Sequence, residues 1–300
     1  MLDFITWHAD PELLSTSFVN IRWYGLMFAI GFLIGYRIEE RIFRHEGAPE
    51  RWLGTLLLWV IGGTIIGARL GHCFFYEWDV YSQNPIRILY IWEGGLASHG
   101  GTIGVIIGVL CFSRFTAHRS PLWTFDRLVI PIALVGALIR IGNLMNHEIY
   151  GHPTDLPWGF RFITNIQGWM HGADPVYSMP SHPTQIYESA WYIALFGLLM
   201  WMYWRRNEEE RPGLIFGTFL TLLFAGRFMI EYLKNNQVEF EHNLQDLIGM
   251  NMGQLLSVPF ILIGIFFIIR AMRRPRVDID FPNAFPDEKK DSHSAKNTKK

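Results

Sequence analysis

Cysteine is scarce in this chain: Cys73 and Cys111 are the 2 in 300 residues. Both sit inside apolar stretches, so a disulfide-stapled secreted fold is excluded and the thiols read as packing residues. Charge is thin too, at 18% of residues against 50% hydrophobic, a balance foreign to a soluble domain of this length. Residues 1–18 hold no Lys or Arg, and no small-residue cleavage site follows, so a cleaved signal peptide is not expected. The 11 histidines lack metal-ligand spacing: His147 and His152 do not share a helix face, and no cysteine accompanies them. There is no P-loop and no acidic metal cluster. Neither a metal nor a cofactor is expected.

What the chain does have is apolar length. Stretches at 19–38, 53–76, 96–115, 122–142, 186–204, 213–233 and 252–272 each approach the ~20 residues that cross a bilayer core. The expected fold is therefore all-α, a polytopic membrane protein of seven transmembrane helices. Basic residues orient it. Arg41, Arg44 and Arg51 follow the first span, Arg119 lies between the third and fourth, and Arg205, Arg206 and Arg211 follow the fifth. Arg273, Arg274, Arg276 and several lysines follow the seventh, whereas the alternate connections hold only Arg87, Arg161 and Lys234. The positive-inside rule then places the N-terminus outside and the C-terminus in the cytoplasm. Residues 1–18 form an outer N-terminal segment, and 19–142 hold spans one to four with an outer interfacial arm at 77–95. Residues 143–185, rich in Pro, Gly and Trp, form a small outer cap. Spans five to seven occupy 186–272, and 273–300 is a disordered cytoplasmic tail.

Orientation gives each polar residue a depth. Arg22, Tyr24, Arg69, His72, Ser98, His99, Arg140, Asn143, Asn146, Glu148, Gln185, Glu188, Arg227 and Glu231 all fall in one outer-leaflet layer, with no matching inner layer. Intramembrane ionisable groups are costly and mark a site by default. Arg140 and Asn143, three apart, share a helix face, as do Arg227 and Glu231, four apart. Arg69, Arg140 and Arg227 with few carboxylates give a positive potential suited to an anion such as a phospholipid headgroup, which Arg grips bidentately. Snorkelling alone would explain Arg22, Arg69 or Glu231 singly, but not the set. Gly63, Gly67 and Gly71, and Gly100, Gly104 and Gly108, recur every fourth residue and read as close helix packing. Gly94, Gly95, Gly100 and Gly101 bracket His99, where they imply a bent backbone and an accessible imidazole.

Six segments then resemble the prolipoprotein diacylglyceryl transferases. Arg140-Ile-Gly-Asn143-Leu-Met-Asn146-His-Glu148-Ile-Tyr-Gly151 is similar to the family signature. Gly94-Gly-Leu-Ala-Ser-His99-Gly-Gly101, His182-Pro-Thr-Gln185-Ile-Tyr-Glu188 and Met252-Gly-Gln-Leu-Leu-Ser-Val-Pro259 agree with it. So do Ile21-Arg-Trp-Tyr24-Gly and Gly226-Arg227-Phe-Met-Ile-Glu231. The resemblance runs in order from about 15 to 272. Two positions depart from it: Ile139 replaces a Gly, and Leu223 replaces a Tyr four residues before Arg227.

The resemblance implies a multi-pass enzyme of the bacterial cytoplasmic (inner) membrane, with its active site towards the outer leaflet. It would transfer diacylglyceryl from phosphatidylglycerol to the lipobox cysteine of a preprolipoprotein, forming a thioether and releasing glycerol phosphate. It implies no cofactor, no nucleic-acid partner, and a monomer. The catalytic candidates are His99, as base for the thiol, with Arg140 and Arg227 on the phosphate. Arginine electrostatics alone could instead lower the cysteine pKa, with His99 positioning substrate. Tyr24, Arg140, Asn143, Asn146, Glu148, Gly151, Gln185, Arg227 and Glu231 are the phosphatidylglycerol-binding candidates. Two other classes stay open on the residues alone. A lipid phosphatase or phosphotransferase would need a second histidine motif, and a lipid transporter would need polar groups in both leaflets.

Overall fold

Proline and asparagine set the helix starts. The computed structural model describes residues 4–16, 20–207, 210–234 and 250–277. Strands β1 (Ile5–Thr6), β2 (Glu12–Ser15) and β3 (Asn20–Arg22) precede helix α1, Trp23–Glu46. Pro49 precedes α2, Glu50–Phe75, which is followed by the short α3, Trp78–Gln83. Helix α4, Ser98–Cys111, continues as a π-helical turn to Ala117. Pro121 opens α5, Pro121–Met145, where its missing N–H costs no hydrogen bond. Strand β4, Phe160–Arg161, and α6, Ile166–Met170, lead to Pro183 and α7, Thr184–Arg206. Helix α8 is Leu214–Glu231. Helix α9, Met252–Arg273, starts on a capping box in which Asn251 and Gln254 satisfy each other's backbone N–H groups.

A long helix thus stands at each of the seven expected places, and the chain is mostly helical. Five of them are long and apolar enough to cross a membrane: α2, α4 with its π turn, α5, α8 and α9. Helix α1 loses its apolar character at Arg37, and α7 is diluted by Tyr, Trp, Gln and Glu. The first span was expected from residue 19, but β3 pairs antiparallel with β2 there and the helix begins at Trp23. Backbone pairing with Glu12–Ser15 holds Asn20, Ile21 and Arg22 extended ahead of the apolar run. The helix then runs on to Glu46, through Arg41 and Arg44, which were expected in a connection. Most of the expected disordered tail, residues 278–300, lies outside the described residues.

The described residues form two compact units, one within 4–38 and 128–277, the other within 39–127. In the first, α8 packs on both α7 and α9, and Phe224 stacks on Phe260 at 4.3 Å. The segment after α5 folds over a small core of Leu144, Phe160 and Phe162, with Trp7 and Tyr150 against it. Strand β4 pairs in parallel with β1.

In the second unit, α2 and α4 cross at their glycines. A Cβ on Gly71 would lie 2.8 Å from the Gly100 Cα, and one on Gly67 2.9 Å from the Gly104 Cα, which no side chain tolerates. This unit also holds a second buried polar group, contrary to the one-sided pattern expected. Arg127, fully buried, pairs with Glu46 at 2.8 Å and lies over the Trp123 ring, whose indole N–H donates to Glu46. Glu39 is buried beside them, and neither of its oxygens finds a hydrogen-bond donor. Glu39 and Glu46 lie beyond residue 38, where the first span was expected to end.

Candidate active site

The last turns of α5 carry the first half of the site. Arg140 Nη1 donates to Asn143 Oδ1 at 3.3 Å, as their three-residue spacing requires. Asn143 Nδ2 donates in turn to Glu148 Oε1 at 2.8 Å, and Asn146 Nδ2 to the same oxygen at 3.2 Å. Glu148 reaches back because the chain reverses sharply after α5. His147 and Ile149 both take positive φ, 55° and 61°, a strained state for a β-branched residue that needs support around it. The first turn of α7 supplies it. Thr184 Oγ1 donates to the Ile149 carbonyl at 2.9 Å, and the fully buried Gln185 donates Nε2 to the Glu148 carbonyl at 2.6 Å.

His147 fastens the same reversal to Ile163 and to the N-terminal segment at Ala9. Its Nδ1 accepts the Ile163 N–H at 3.1 Å, so the proton sits on Nε2, which donates to the Ala9 carbonyl at 2.8 Å. Burial pushes this imidazole below its ordinary pKa, and that of His182 likewise, with the charge of His152 adding to the latter. Gly151 acts through its backbone: its N–H donates to the His182 carbonyl at 2.9 Å, and a Cβ there would overlap the Leu233 carbonyl.

The second half is an ion-pair chain. Arg140 Nε lies 3.1 Å from Glu188 Oε2, and Glu188 is completely buried. Its other oxygen accepts from Lys234 Nζ at 2.8 Å, and Lys234 lies 3.7 Å from Glu231 Oε2. Gly253 leaves room for that carboxylate, since a Cβ would sit 2.6 Å from Glu231 Oε1. Arg227, one turn before Glu231 on α8, has no ion pair or hydrogen bond among the described residues. Gly226 beside it admits the Trp191 indole, which donates to the Leu222 carbonyl at 2.9 Å. Tyr24 packs its ring on Gly142, where a Cβ would stand 2.9 Å from it.

Arg140, Asn143, Asn146, Glu148, Gln185 and Glu231 are therefore joined in one network. Lys234 and Glu188 are members that the sequence did not single out as binding candidates. Lys234 looked like a loop charge, and its three-residue spacing from Glu231 was the available signal. In this unit Arg140 and Lys234, with Arg227 one turn before Glu231, stand with the carboxylates Glu148, Glu188 and Glu231. Arg69 belongs to the other unit. Its guanidinium is spent on the carbonyls of Arg87, Ile88, Gly94 and Gly95 and lies over the Tyr81 ring, so it pins the 77–95 segment.

His99 belongs to the other unit. It is exposed in the first turn of α4, its ring 5.5 Å from Phe75 and 5.7 Å from Tyr76. Of the glycines around it, only Gly94 and Gly95 bend the backbone, at φ 86° and 71°. Gly100 and Gly101 are helical, and Gly100 serves the crossing with α2.

Fold and site together define a multi-pass membrane protein with a buried ion-pair network and, among the described residues, an uncommitted guanidinium. Comparison with known proteins narrows the class. The family model of Prolipoprotein diacylglyceryl transferase matches residues 11–270. A phosphatidylglycerol–prolipoprotein diacylglyceryl transferase of Porphyromonas gingivalis is 50% identical over 274 residues, 91% of this chain and 96% of its own. Proteins of the same name from Tolumonas auensis and Chloroherpeton thalassium are 46% and 40% identical. They cover 88% and 92% of this chain, and 96% and 97% of their own lengths. The chain belongs to the prolipoprotein diacylglyceryl transferase family.

Proposed function

We propose that this enzyme transfers the diacylglyceryl group of phosphatidylglycerol to the lipobox cysteine of a preprolipoprotein. The cysteine S–H gives up its proton, a C–S bond forms at the glyceryl carbon, and the C–O bond to phosphate breaks. The bonding pair leaves with glycerol phosphate. The leaving group is an anion, and the observation that carries the reading is the pairing of a fork-held Arg140 with an Arg227 uncommitted among the described residues. The names of the relatives agree with it, and none names a phosphatase or a transporter.

Arg140 and Arg227 bind the phosphate in this reading. Asn143, Asn146, Glu148, Glu231, Gln185 and Gly151 hold them and the turn that carries them, and Tyr24 offers a hydroxyl to the glycerol. His99 takes the thiol proton, which a neutral imidazole can do near pH 7. Replacing His99 by Gln tests this: substantial activity with an unchanged pH–rate profile would remove the base role and leave thiol activation to the arginines. The enzyme is a monomer with seven spans in the bacterial cytoplasmic membrane, N-terminus outside, its cap and polar layer at the outer leaflet. That orientation is supported by the distribution of Lys and Arg.

The deciding experiment incubates purified protein with phosphatidylglycerol vesicles and a lipobox peptide, and weighs the peptide by mass spectrometry. A diacylglyceryl increment on the Cys peptide, and none on its Ser counterpart, is the expected result. Unmodified Cys peptide with folded protein would overturn the reading.

A further inference from the structure

Helix α4 with its π turn exposes one face along its length. Ile103, Ile107, Leu110 and Arg114 recur at helical spacing and share that face. The three apolar members are 53%, 54% and 45% exposed. Ile103 and Ile107 line an apolar groove of about 560 Å³, with glycines of the α2–α4 crossing along it. On α2 the groove runs from Phe75 to Leu58, roughly 25 Å at the rise of a helix. One leaflet contributes about 15 Å to a bilayer core, so an acyl chain fits along it.

At the far end of α4 from His99 the same face meets a second cavity, about 540 Å³, lined by Leu110, Ser113, Arg114, His118, Arg119 and Pro121. Three of these residues are basic and none is acidic. The cavity lies where two candidate spans, Ser98–Ala117 and Pro121–Met145, are joined, which places it at a membrane boundary. His118 closes the π turn at φ 49°, and the Arg119 N–H then donates back to the Ser113 carbonyl at 3.2 Å. That reversal gathers the basic residues around one space. Among the described residues the side chains of Arg114 and His118 make no ion pair and no hydrogen bond; the Arg114 guanidinium lies over the Phe115 ring.

We propose that the cavity and the groove together hold one anionic phospholipid, its phosphate on Arg114, His118 and Arg119 and an acyl chain along Leu110, Ile107 and Ile103. Charge selects the headgroup, because a basic pocket between spans suits a phosphate-bearing lipid and an Arg fork grips phosphate through two N–H groups. A soluble anion would leave the apolar face below Arg114 uncovered. This lipid is held and not consumed, since His99 stands at the opposite end of the helix.

Native mass spectrometry of the detergent-solubilised full chain, titrated with dioleoylphosphatidic acid, measures the affinity. Dioleoylphosphatidylcholine and inorganic phosphate are the comparison arms. The parent is set beside Arg114→Gln combined with His118→Asn, since Asn tolerates the left-handed backbone there. The double variant should bind phosphatidic acid at least about fivefold more weakly, the scale of one charge beside a phosphate. Phosphatidylcholine should bind weakly to both, and the lipid-free unfolding midpoint should be unchanged. Equal affinity in the two proteins overturns the proposal and assigns the lipid to Arg140 and Arg227. Phosphatidylcholine bound as tightly as phosphatidic acid by the parent overturns it too. Inorganic phosphate that displaces the lipid at equal concentration overturns the lipid as occupant in favour of a soluble anion. Should the double variant lose folded protein, Arg114→Gln alone, at an exposed position, carries the same comparison and the same threshold.

Discussion

Lys234 shows how one residue decides the character of this site. Its side chain is 7% exposed, and it touches two carboxylates, one of them on the wholly inaccessible Glu188. A buried carboxylate that loses its counter-ion is far more costly than an exposed one, on the order of 3–5 kcal/mol. Lys234→Met keeps the length of the side chain and removes the charge, so the detergent-solubilised enzyme should unfold at a clearly lower temperature. Adding Glu188→Gln should cost less than it does in the parent, because the carboxylate left bare by the first change is gone. Parental thermal stability in Lys234→Met, or strict additivity of the two, would sink the ion-pair account. At this scale the sequence was half legible. Helical spacing announced the Arg140–Asn143 pair, since three residues on a helix leave only one geometry. It could not announce that Glu148 turns back on Asn143, because that depends on positive φ at His147 and Ile149, which neither residue type favours. Nor could it bring Glu188 to Lys234 across 46 residues.

Elements repeat the pattern. The glycines of α2 and α4, spaced every fourth residue, announced a close crossing, and the geometry sorts them further. A Cβ at Gly67 would meet the Gly104 Cα at 2.9 Å, whereas Gly62, on the same helix, has nothing within 4 Å. Gly67→Ala should therefore lower the unfolding temperature and the yield of folded protein. Gly62→Ala should leave both unchanged or raise stability by up to about 1 kcal/mol, the helix preference of Ala over Gly. Equal behaviour of the two would mean that the helices do not cross there. The start of α1 was not legible. Asn20-Ile21-Arg22 lead directly into an apolar run and read as its first turn, and pairing with Glu12–Ser15 makes them strand. The cap adds a pH dependence through His147. Its folded pKa lies below the ordinary value, so below about pH 6.5 the unfolded chain binds the proton more readily than the folded one. The stabilising contribution is complete above that pH and is lost as pH falls through the folded pKa. Thermal midpoints measured from pH 7.5 down to pH 5 should decline, and the decline should shrink in His147→Gln. An identical slope in the variant would assign the acid sensitivity elsewhere.

For the whole molecule, the side it faces decides where the chemistry occurs. In the proposed orientation the polar network would meet the preprolipoprotein cysteine from the outer side. The orientation proposed from the basic residues would put Arg51, Arg119, Arg205 and Arg273 in the cytoplasm and Arg87, Arg161 and Lys234 outside. Single cysteines test this in intact cells, once Cys73 and Cys111 have been replaced by Ala. Asp155 and Ser120 are both exposed, one in the cap and one in the connection before α5. A membrane-impermeant maleimide should label Asp155→Cys in intact cells and Ser120→Cys only after the membrane is opened. Reversed labelling would place Glu188, Lys234 and the arginines towards the cytoplasm. A modified lipobox peptide in the vesicle assay would then still establish the transfer chemistry, but the thiol would have to reach the site before translocation. The two measurements therefore separate the reaction from the side on which it occurs. Only outward labelling together with a modified peptide supports lipid transfer at the outer leaflet.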